Sequence, residues 1–201
     1  FGVDANKLGF AVLTIDQRGE GETDGKVPDM QTELETLNNG GEPVEHKMIY
    51  DALRCYDLLK SRDDIDQKNI IMAGESMGGR YAIIAGALEK GVRGVIAIST
   101  SGYKFGSEIG RLQGALRFMN SINPDFYIKH ISPRWVVMIH AKDDPVISIK
   151  DARETFEKAG EPKEFIEVEG KWHGYEHEGM WEVLEEVMKN GKGAWASQSI
   201  L

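Results

Sequence analysis

The chain has 201 residues, of which 41% are hydrophobic and 28% are charged, a composition ordinary for a single soluble globular domain. Its 33 acidic and 24 basic residues give a net charge of -9, which argues against nucleic acid or an anionic membrane as a partner. A single cysteine, Cys55, excludes an internal disulfide, and no apolar run approaches the ~18 residues of a membrane-spanning helix. We therefore expect one domain, residues 1–201, in the cytoplasm.

The first part of the chain predicts a helix, a strand, a loop and a second helix. Residues 3–8 predict a short helix that ends at Gly9, and the continuous apolar run 10–15 predicts a strand buried on both faces. The polar, glycine-rich stretch 17–43 predicts a long loop. Apolar residues at helical spacing then predict an amphipathic helix over residues 44–60.

The rest of the chain alternates apolar runs with helical patterns. Strands are predicted at residues 70–73, 92–99, 135–140 and 164–168, and helices at residues 77–90, 149–159 (with Ser148 as N-cap) and 175–189. Residues 103–130 predict irregular structure with a helical centre, and residues 191–201 predict a poorly packed tail. Strands that alternate with helices indicate right-handed crossovers and a mainly parallel sheet of α/β class, flanked by helices.

A candidate nucleophile lies between the second predicted strand and the helix that follows it. Gly74-Glu75-Ser76-Met77-Gly78 matches G-x-S-x-G, in which a tight turn exposes the serine Oγ at the carboxyl end of the sheet. The glycines on either side leave room for that turn. The amide of Met77 would lie at a helix N-terminus, where it can donate to a developing oxyanion. The alternative is a glycine-rich connection of structural or phosphate-binding type.

A serine hydroxyl needs a base, and the base needs an acid that fixes its tautomer. Two carboxylates, Asp143 and Asp144, follow the strand predicted at residues 135–140, and His173 follows the strand predicted at residues 164–168. The order serine, acid, histidine is the one that this architecture uses.

Four motifs in this order resemble those of the α/β-hydrolase superfamily, and the resemblance covers nearly the whole chain. They are the D-x-R-G-x-G-x-T loop at residues 16–23, the nucleophile turn at residues 74–79, the acid loop at residues 141–146 and the histidine loop at residues 170–174. The chain is most similar to the serine esterase, dienelactone-hydrolase-like and serine-aminopeptidase-like branches. The resemblance implies an α/β-hydrolase fold with neither metal nor cofactor.

The resemblance also assigns the acid and a lid. Alignment with the family's acid loop puts Ala141 at the usual glycine and Asp144 at the acid, which leaves Asp143 as a neighbour that shapes the loop. Residues 103–130 occupy the position at which the family inserts a lid. The implied triad is therefore Ser76, Asp144 and His173, with the Met77 amide as one oxyanion donor.

Several other residues compete for functional roles. His46 and His130 lie in segments without a catalytic pattern, and His140 ends an apolar strand, which favours a structural role. Residues 173–177 formally match the zinc-peptidase pattern H-x-x-E-H, so His177 stays open as a metal ligand or as the base. Gly174 and the preceding strand argue against a helix through both histidines.

Two further side chains have structural alternatives. Arg18 lies in the loop after the first predicted strand. A buried polar contact within the protein explains an arginine at this position as well as contact with the substrate does. Trp172 precedes the proposed base and would either line an acyl site or pack in the core.

The family carries one more strand, ahead of the loop at residues 16–23, whose backbone amide supplies the second oxyanion donor. The sequence starts at Phe1, on the helix before residue 10, and contains no such strand. The family's strand order places it between residues 10–15 and residues 70–73, where its absence would leave buried backbone groups unpaired. We therefore expect an N-terminal portion of some tens of residues ahead of this sequence.

The resemblance implies a serine hydrolase that cleaves a carboxylic ester or related acyl bond of a small molecule. One alternative is an amide hydrolase of the serine-aminopeptidase or prolyl-oligopeptidase-like branches, which share the triad. Another is a non-catalytic binding module on the same scaffold. Neither the acyl length nor the oligomeric state can be read from the sequence.

Overall fold

The structure is a computed structural model that describes residues 2–104, 114–175 and 178–191. Its helices are Gly2–Lys7 (α1), Met30–Asn38 (α2), Val44–Lys60 (α3), Ser76–Leu88 (α4), Ala115–Ile122 (α5), Ile149–Phe156 (α6) and Glu178–Gly191 (α7). Its strands are Met72–Glu75 (β1), Gly94–Ile98 (β2), Trp135–Ala141 (β3) and Lys163–Val168 (β4). Two 3-10 turns, Pro124–Phe126 and Ile128–His130, follow α5.

The four strands form one parallel sheet in the order β1-β2-β3-β4. The last residue of β1, Glu75, pairs with Ile98, which pairs with Ile139 and, through it, with Ile166. The carboxyl ends of the strands therefore meet at one edge of the sheet, and the loops that leave this edge carry the candidate site residues. The predicted mainly parallel sheet flanked by helices is confirmed.

The sheet is buried on both faces, which explains the continuous apolar runs of its central strands. Every residue of β2 and β3 is buried. Side chains alternate between the faces: Val95 and Val136 pack with α3, α4 and α6, whereas Ile96 and Val137 pack with α1 and α7. Helices on both faces follow from the parallel connections.

The strand predicted over residues 10–15 is wrong. This segment follows α1 and Gly9, whose φ of +80° ends the helix as predicted, but it pairs with no strand in the described part of the chain. Phe10 and Val12 are half-buried against the core on the α1 and α7 side, while Ile15 is 46% exposed. A strand exists only through hydrogen bonds to a neighbour about 4.8 Å away, and the described residues supply none here.

The long loop predicted over residues 17–43 is also wrong in part, because it contains α2. The carboxylate of Asp29 accepts a hydrogen bond from the Thr32 amide at 2.9 Å, and so caps the start of this helix. Gly40, with φ of +78°, follows its end. The polar, glycine-rich composition of residues 17–43 as a whole predicts a loop, whereas the helix cap at Asp29 and the glycine after the helix concern only residues 29–40. Leu34 of α2 is buried against Phe118 and its neighbours in α5.

The remaining predicted elements are confirmed, with end shifts of a few residues. The predicted helix over residues 44–60 coincides with α3, and the Ser148 hydroxyl caps α6 by accepting from the Asp151 amide at 3.2 Å. The helical centre predicted within residues 103–130 is α5, while residues 105–113 and the predicted tail beyond residue 191 lie outside the described residues. In the described ranges, every helix is too short or too polar to cross a membrane.

Helix α4 packs on β2 at Gly86, which is a site where an added methyl group has no room. A Cβ at this position would overlap Cγ2 of Val95, and a valine side chain is stiff. We expect Gly86→Ala to lower the free energy of unfolding by about 1–3 kcal/mol.

Urea unfolding of Gly86→Ala, Val95→Ala and the double variant tests this contact. Because Val95→Ala removes the colliding methyl group, the double variant should lose clearly less stability than the sum of the two single variants. Strict additivity would contradict the collision.

Candidate active site

Ser76 lies at the junction of β1 and α4 with a backbone φ of +50°, a left-handed conformation that is uncommon for a residue with a side chain. Gly74 makes the turn possible, because a Cβ at that position would overlap the carbonyl oxygen of Gly78. The carbonyl of Ser76 accepts a hydrogen bond from the Thr100 hydroxyl at 2.7 Å, which fixes the turn to the end of β2. The sharp strand-to-helix turn that the motif predicts is present.

The second glycine of the motif is less constrained than the sequence predicts. A Cβ at Gly78 would meet one described atom within 4 Å, Nε2 of Gln17 at 3.7 Å, which is ordinary van der Waals contact. The tight position is Gly79, where a Cβ would lie 2.9 Å from Thr100 and 3.2 Å from the Gly74 carbonyl oxygen. The helix therefore approaches the sheet most closely one residue later than expected.

Asp144 and His173 are brought together by the loops after β3 and β4. The imidazole Nδ1 of His173 lies 2.9 Å and 3.1 Å from the two carboxylate oxygens of Asp144. The Asp144 side chain is fully buried, and its Oδ1 accepts hydrogen bonds from the amides of Val146 and Ile147 at 2.8 Å and 3.0 Å. Asp143 instead has an exposed side chain, and its amide donates to the Gly170 carbonyl at 3.0 Å, which ties the two loops together.

The surroundings of Asp144 favour its ionised form. Burial alone would raise the pKa of this carboxyl, but hydrogen bonds from the amides of Ile147 and Val146, together with His173, bring the pKa below its usual value. A buried carboxylate that keeps its charge stabilises a neighbouring imidazolium and orients the ring through Nδ1.

The structural role predicted for His140 agrees with its position beneath the acid loop. The ring is fully buried, and its Nε2 donates to the Ile147 carbonyl at 2.9 Å. Burial lowers the pKa of His140, so the ring is held neutral, 3.7 Å from a carboxylate oxygen of Asp144. His140 thus supports the turn whose amides bind Asp144.

Two hydrogen bonds anchor the loop that carries His173, one to the residue before Ser76 and one to the residue after β2. The amide of Tyr175 donates to Oε2 of Glu75 at 2.8 Å, and the amide of Gly174 donates to Oγ of Ser99 at 3.0 Å. Gly174 has a φ of +89°, and a Cβ there would lie 2.6 Å from Oε2 of Glu75. His173 is therefore hydrogen-bonded to Asp144 directly. Its loop is held next to Ser76 through Glu75, the residue that precedes the serine.

Sequence reasoning missed Glu75 and Ser99 as parts of this site. Glu75 fills a variable position of the G-x-S-x-G pattern, and its only signal is a carboxylate beside the candidate nucleophile. Ser99 directly follows β2, is fully buried and has a φ of +46°, a conformation that the sequence does not reveal.

The amide of Met77 belongs to the first turn of α4, where backbone N–H groups have no partner within the helix. This position agrees with the predicted oxyanion donor. The side chain of Met77 packs against the hydrophobic cluster that includes Met48 and Tyr81.

The competing residues have other surroundings. Arg18 forms a two-point ion pair with Asp51 at 2.6 Å and 2.9 Å, which supports its structural explanation. His46 lies between Glu42 and Ser121, and Trp172 is half-buried against the core on the α7 side. Glu176 and His177 lie outside the described residues, so the structure does not test the zinc alternative.

Residues 1–138 match the family model described as serine aminopeptidase, S33. The match includes Ser76 and ends before Asp144 and His173. Among curated proteins, the uncharacterized protein YfhR of Escherichia coli O157:H7 is 25% identical over 160 residues, which cover 78% of this chain and 51% of YfhR. The chain thus spans about half the length of this relative.

Solved structures with the same fold include two esterases. Acetyl xylan esterase 1 from Thermoanaerobacterium sp. JW/SL YS485 superposes with a TM-score of 0.69 at 16% identity, covering 94% of this chain and 69% of that one. Est1E from Butyrivibrio proteoclasticus, with ferulic acid bound, gives a TM-score of 0.65 at 19% identity, with 91% and 76% covered. At these identities the likeness establishes an α/β-hydrolase fold.

Glu75 provides a test of the anchored histidine loop. Replacement by alanine removes the acceptor of the Tyr175 amide and releases the loop that carries His173. We therefore expect kcat/KM of any reaction that depends on His173 to fall by about 10- to 100-fold, with a p-nitrophenyl ester as the assay substrate. Glu75→Gln keeps an acceptor oxygen and should retain most of the activity. Equal losses in the two variants, with unchanged thermal midpoints, would show that the negative charge matters rather than the anchor.

Asp144 should also make stability depend on pH. Because its folded pKa lies below the ordinary value, its contribution is complete above the unfolded pKa of about 3.9 and is lost as the pH falls through the folded pKa. We expect the wild-type protein to exceed Asp144→Asn in unfolding free energy at about pH 5, with a difference that becomes smaller as the pH falls below about 4.

Urea unfolding at a series of pH values measures this difference, with the exposed neighbour Asp143→Asn as the matched control. A difference that stays the same down to the lowest pH at which the protein is folded would contradict the assignment.

Proposed function

Because the chain belongs to the serine aminopeptidase (S33) family of α/β hydrolases, we propose that it acts as a serine hydrolase on carboxylic esters. In this proposal Ser76 is the nucleophile, His173 is the general base and Asp144 is the acid that orients the imidazole. The observation that carries the proposal is the hydrogen bond between His173 and the buried carboxylate of Asp144, with the His173 loop anchored next to Ser76.

The proposed reaction has two halves. His173 takes the proton of Ser76 Oγ while that oxygen attacks the ester carbonyl, and the Met77 amide binds the oxyanion of the tetrahedral intermediate. The imidazolium then donates its proton to the departing alkoxide, which leaves an acyl group on Ser76. Water attacks this acyl group with His173 again as base, and the carboxylic acid and free serine are released.

The geometry of Ser76 supports its role as nucleophile. Its positive φ and its position between β1 and the body of α4 put the side chain at the carboxyl edge of the sheet, where the candidate acid and base loops also lie. The residue is half-buried, so a small acyl group has access to Oγ while bulk water is reduced. This combination suits acyl transfer better than a phosphate-binding turn, which uses several glycine amides and no paired acid and base.

The ester preference rests on fold neighbours, and the family name points to the main alternative. Two proteins of the same fold carry esterase names, one of them with ferulic acid bound, while the family model describes an aminopeptidase. Both activities use the same triad, so a substrate panel must separate them.

The pair of helices α2 and α5 is the proposed cap over the substrate. Leu34 of α2 packs with Ala115, Phe118 and Met119 of α5 in a cluster of its own, separate from the clusters that flank the sheet. A cap built from two chain segments narrows the acyl site more than the single short insertion inferred from residues 103–130.

Replacement of the nucleophile gives the direct test. Ser76→Ala should abolish covalent labelling by a fluorophosphonate and should lower ester hydrolysis by at least about 10³-fold, because the proposed acyl-enzyme forms on Ser76. Ser61→Ala serves as the matched control, since this exposed hydroxyl caps the end of α3 and donates to the Leu58 carbonyl. Labelling that persists in Ser76→Ala would identify another nucleophile.

A panel of p-nitrophenyl esters against aminoacyl p-nitroanilides decides between the two hydrolase types. We expect kcat/KM to be higher for the esters, with Ser76→Ala inactive on both series. A preference for the anilides would support the aminopeptidase alternative. A folded wild-type protein that neither reacts with the fluorophosphonate nor turns over any substrate would support a binding module.

A further inference from the structure

A histidine that the proposed reaction does not use is buried directly beneath the acid loop. His140 is the last residue but one of β3 and is fully buried. Side chains alternate along a strand, so His140 lies on the same face as Val136 and Met138, the face that packs with α6. Such a position is usually filled by an apolar side chain, because a buried polar ring must recover its lost hydration through a hydrogen bond.

One hydrogen bond fixes the ring of His140. Its Nε2 lies 2.9 Å from the carbonyl oxygen of Ile147, which can only accept, so Nε2 carries the proton. Nδ1 is then the unprotonated nitrogen, and within the described ranges it has no hydrogen-bond partner. Burial lowers the pKa of His140, which agrees with a neutral ring. The ring therefore has a single proton to donate, and it donates this proton to Ile147.

Ile147 connects His140 to the acid. Its carbonyl accepts from His140, and its amide donates to Oδ1 of Asp144 at 3.0 Å. The other carboxylate oxygen of Asp144 lies 2.9 Å from Nδ1 of His173. A chain of hydrogen bonds therefore runs from the buried strand through Ile147 and Asp144 to the proposed base, and a displaced Ile147 would turn the carboxylate away from His173.

The charges around residue 140 explain why a neutral donor suits this position. The titratable groups that act on His140 are Asp144, with a carboxylate oxygen 3.7 Å from Nε2, and His173. A lysine or arginine at residue 140 would place a permanent cation beside Asp144, where it would compete with His173 for the carboxylate. An apolar residue would remove the donor to the buried Ile147 carbonyl. A neutral imidazole satisfies this carbonyl and leaves the charge of Asp144 to His173.

We propose that His140 is a positioning residue, which acts through Ile147 to keep the carboxylate of Asp144 directed at His173. This inference rests on the proposed function and adds to it a residue outside the triad. Without the bond from His140, the carboxylate would be less well oriented, and the imidazolium that forms in the transition state would be less stabilised. Because substrate binding does not involve this bond, kcat should fall while KM stays nearly unchanged.

Three substitutions of His140 test the proposal with a p-nitrophenyl ester as substrate. The side-chain amide of His140→Gln can donate to the Ile147 carbonyl in place of Nε2, whereas His140→Leu and His140→Phe have no donor. We expect both donor-free variants to lower kcat by about 10- to 100-fold with little change in KM. His140→Gln should keep most of the wild-type kcat.

Met138→Ala is the matched control for disturbance of the core. Met138 is 1% exposed and lies on the same face of β3, two residues before His140. Its truncation leaves a cavity and should lower the thermal midpoint, but the hydrogen bond from His140 remains, so kcat should stay at the wild-type value. Thermal midpoints of all the variants then separate a loss of stability from a loss of orientation.

A proton NMR spectrum gives a readout that does not require turnover. The proton that His173 Nδ1 shares with the Asp144 carboxylate should resonate downfield of the amide protons, and its absence in His173→Gln assigns the signal. We expect the wild-type signal in His140→Gln and Met138→Ala, and an upfield shift or loss of the signal in His140→Leu and His140→Phe.

The proposal is overturned if the donor-free variants keep the wild-type kcat and NMR signal. It is also overturned if His140→Gln loses as much activity as they do, or if Met138→Ala does so. A wild-type protein that hydrolyses no ester would contradict the proposed function instead. The NMR comparison would still decide whether His140 orients Asp144.

Discussion

The arrangement of the candidate site depends on two hydrogen bonds that hold the histidine loop against the serine turn. The amides of Gly174 and Tyr175, directly after His173, donate to Ser99 and Glu75 at the ends of β2 and β1. The two bonds measure 3.0 Å and 2.8 Å, and both acceptors belong to buried or half-buried side chains at the sheet edge. The position of the imidazole is therefore set by the sheet rather than by a free loop, which is how a scaffold positions reactive groups.

The sheet makes this convergence possible because its strands are parallel and in register. Glu75, Ile98, Ile139 and Ile166 lie in one row, so residues that follow them leave the sheet at the same edge. The buried Asp144, with two backbone amides as donors, then faces the histidine from the neighbouring loop. The amides of Ile147 and Val146 lower the pKa of Asp144 and hold its carboxylate in place, and this carboxylate in turn orients the imidazole of His173.

The two edges of the sheet differ in chemistry. The carboxyl edge combines a left-handed serine, a buried carboxylate and a histidine, whereas the amino edge concentrates lysine and arginine side chains around a cavity. Part of that positive charge serves the end of α4, whose carbonyls are satisfied by Arg134 and Lys90.

Long, regular patterns were readable from the sequence. The helix over residues 44–60, the buried strands and the parallel sheet follow from hydrophobic period and from alternation of strands with helices. Residues 10–15 and 17–43 were misjudged for opposite reasons. The first has strand composition without a pairing partner among the described residues, and the second contains a capped helix, α2, inside a stretch of loop-like composition.

The sequence by itself determined which residue types stand at the ends of the strands, and therefore the candidate residues Ser76, Asp144 and His173 in their order along the chain. The tertiary structure shows the carboxylate of Asp144, the acid that the family's loop implies, facing the histidine. Only the tertiary structure decided that Gly79 rather than Gly78 is the tight position and that Glu75 anchors the histidine loop. The physical reason is that these choices depend on contacts between residues 20 to 100 positions apart, such as Tyr175 with Glu75, and local sequence carries no record of such contacts.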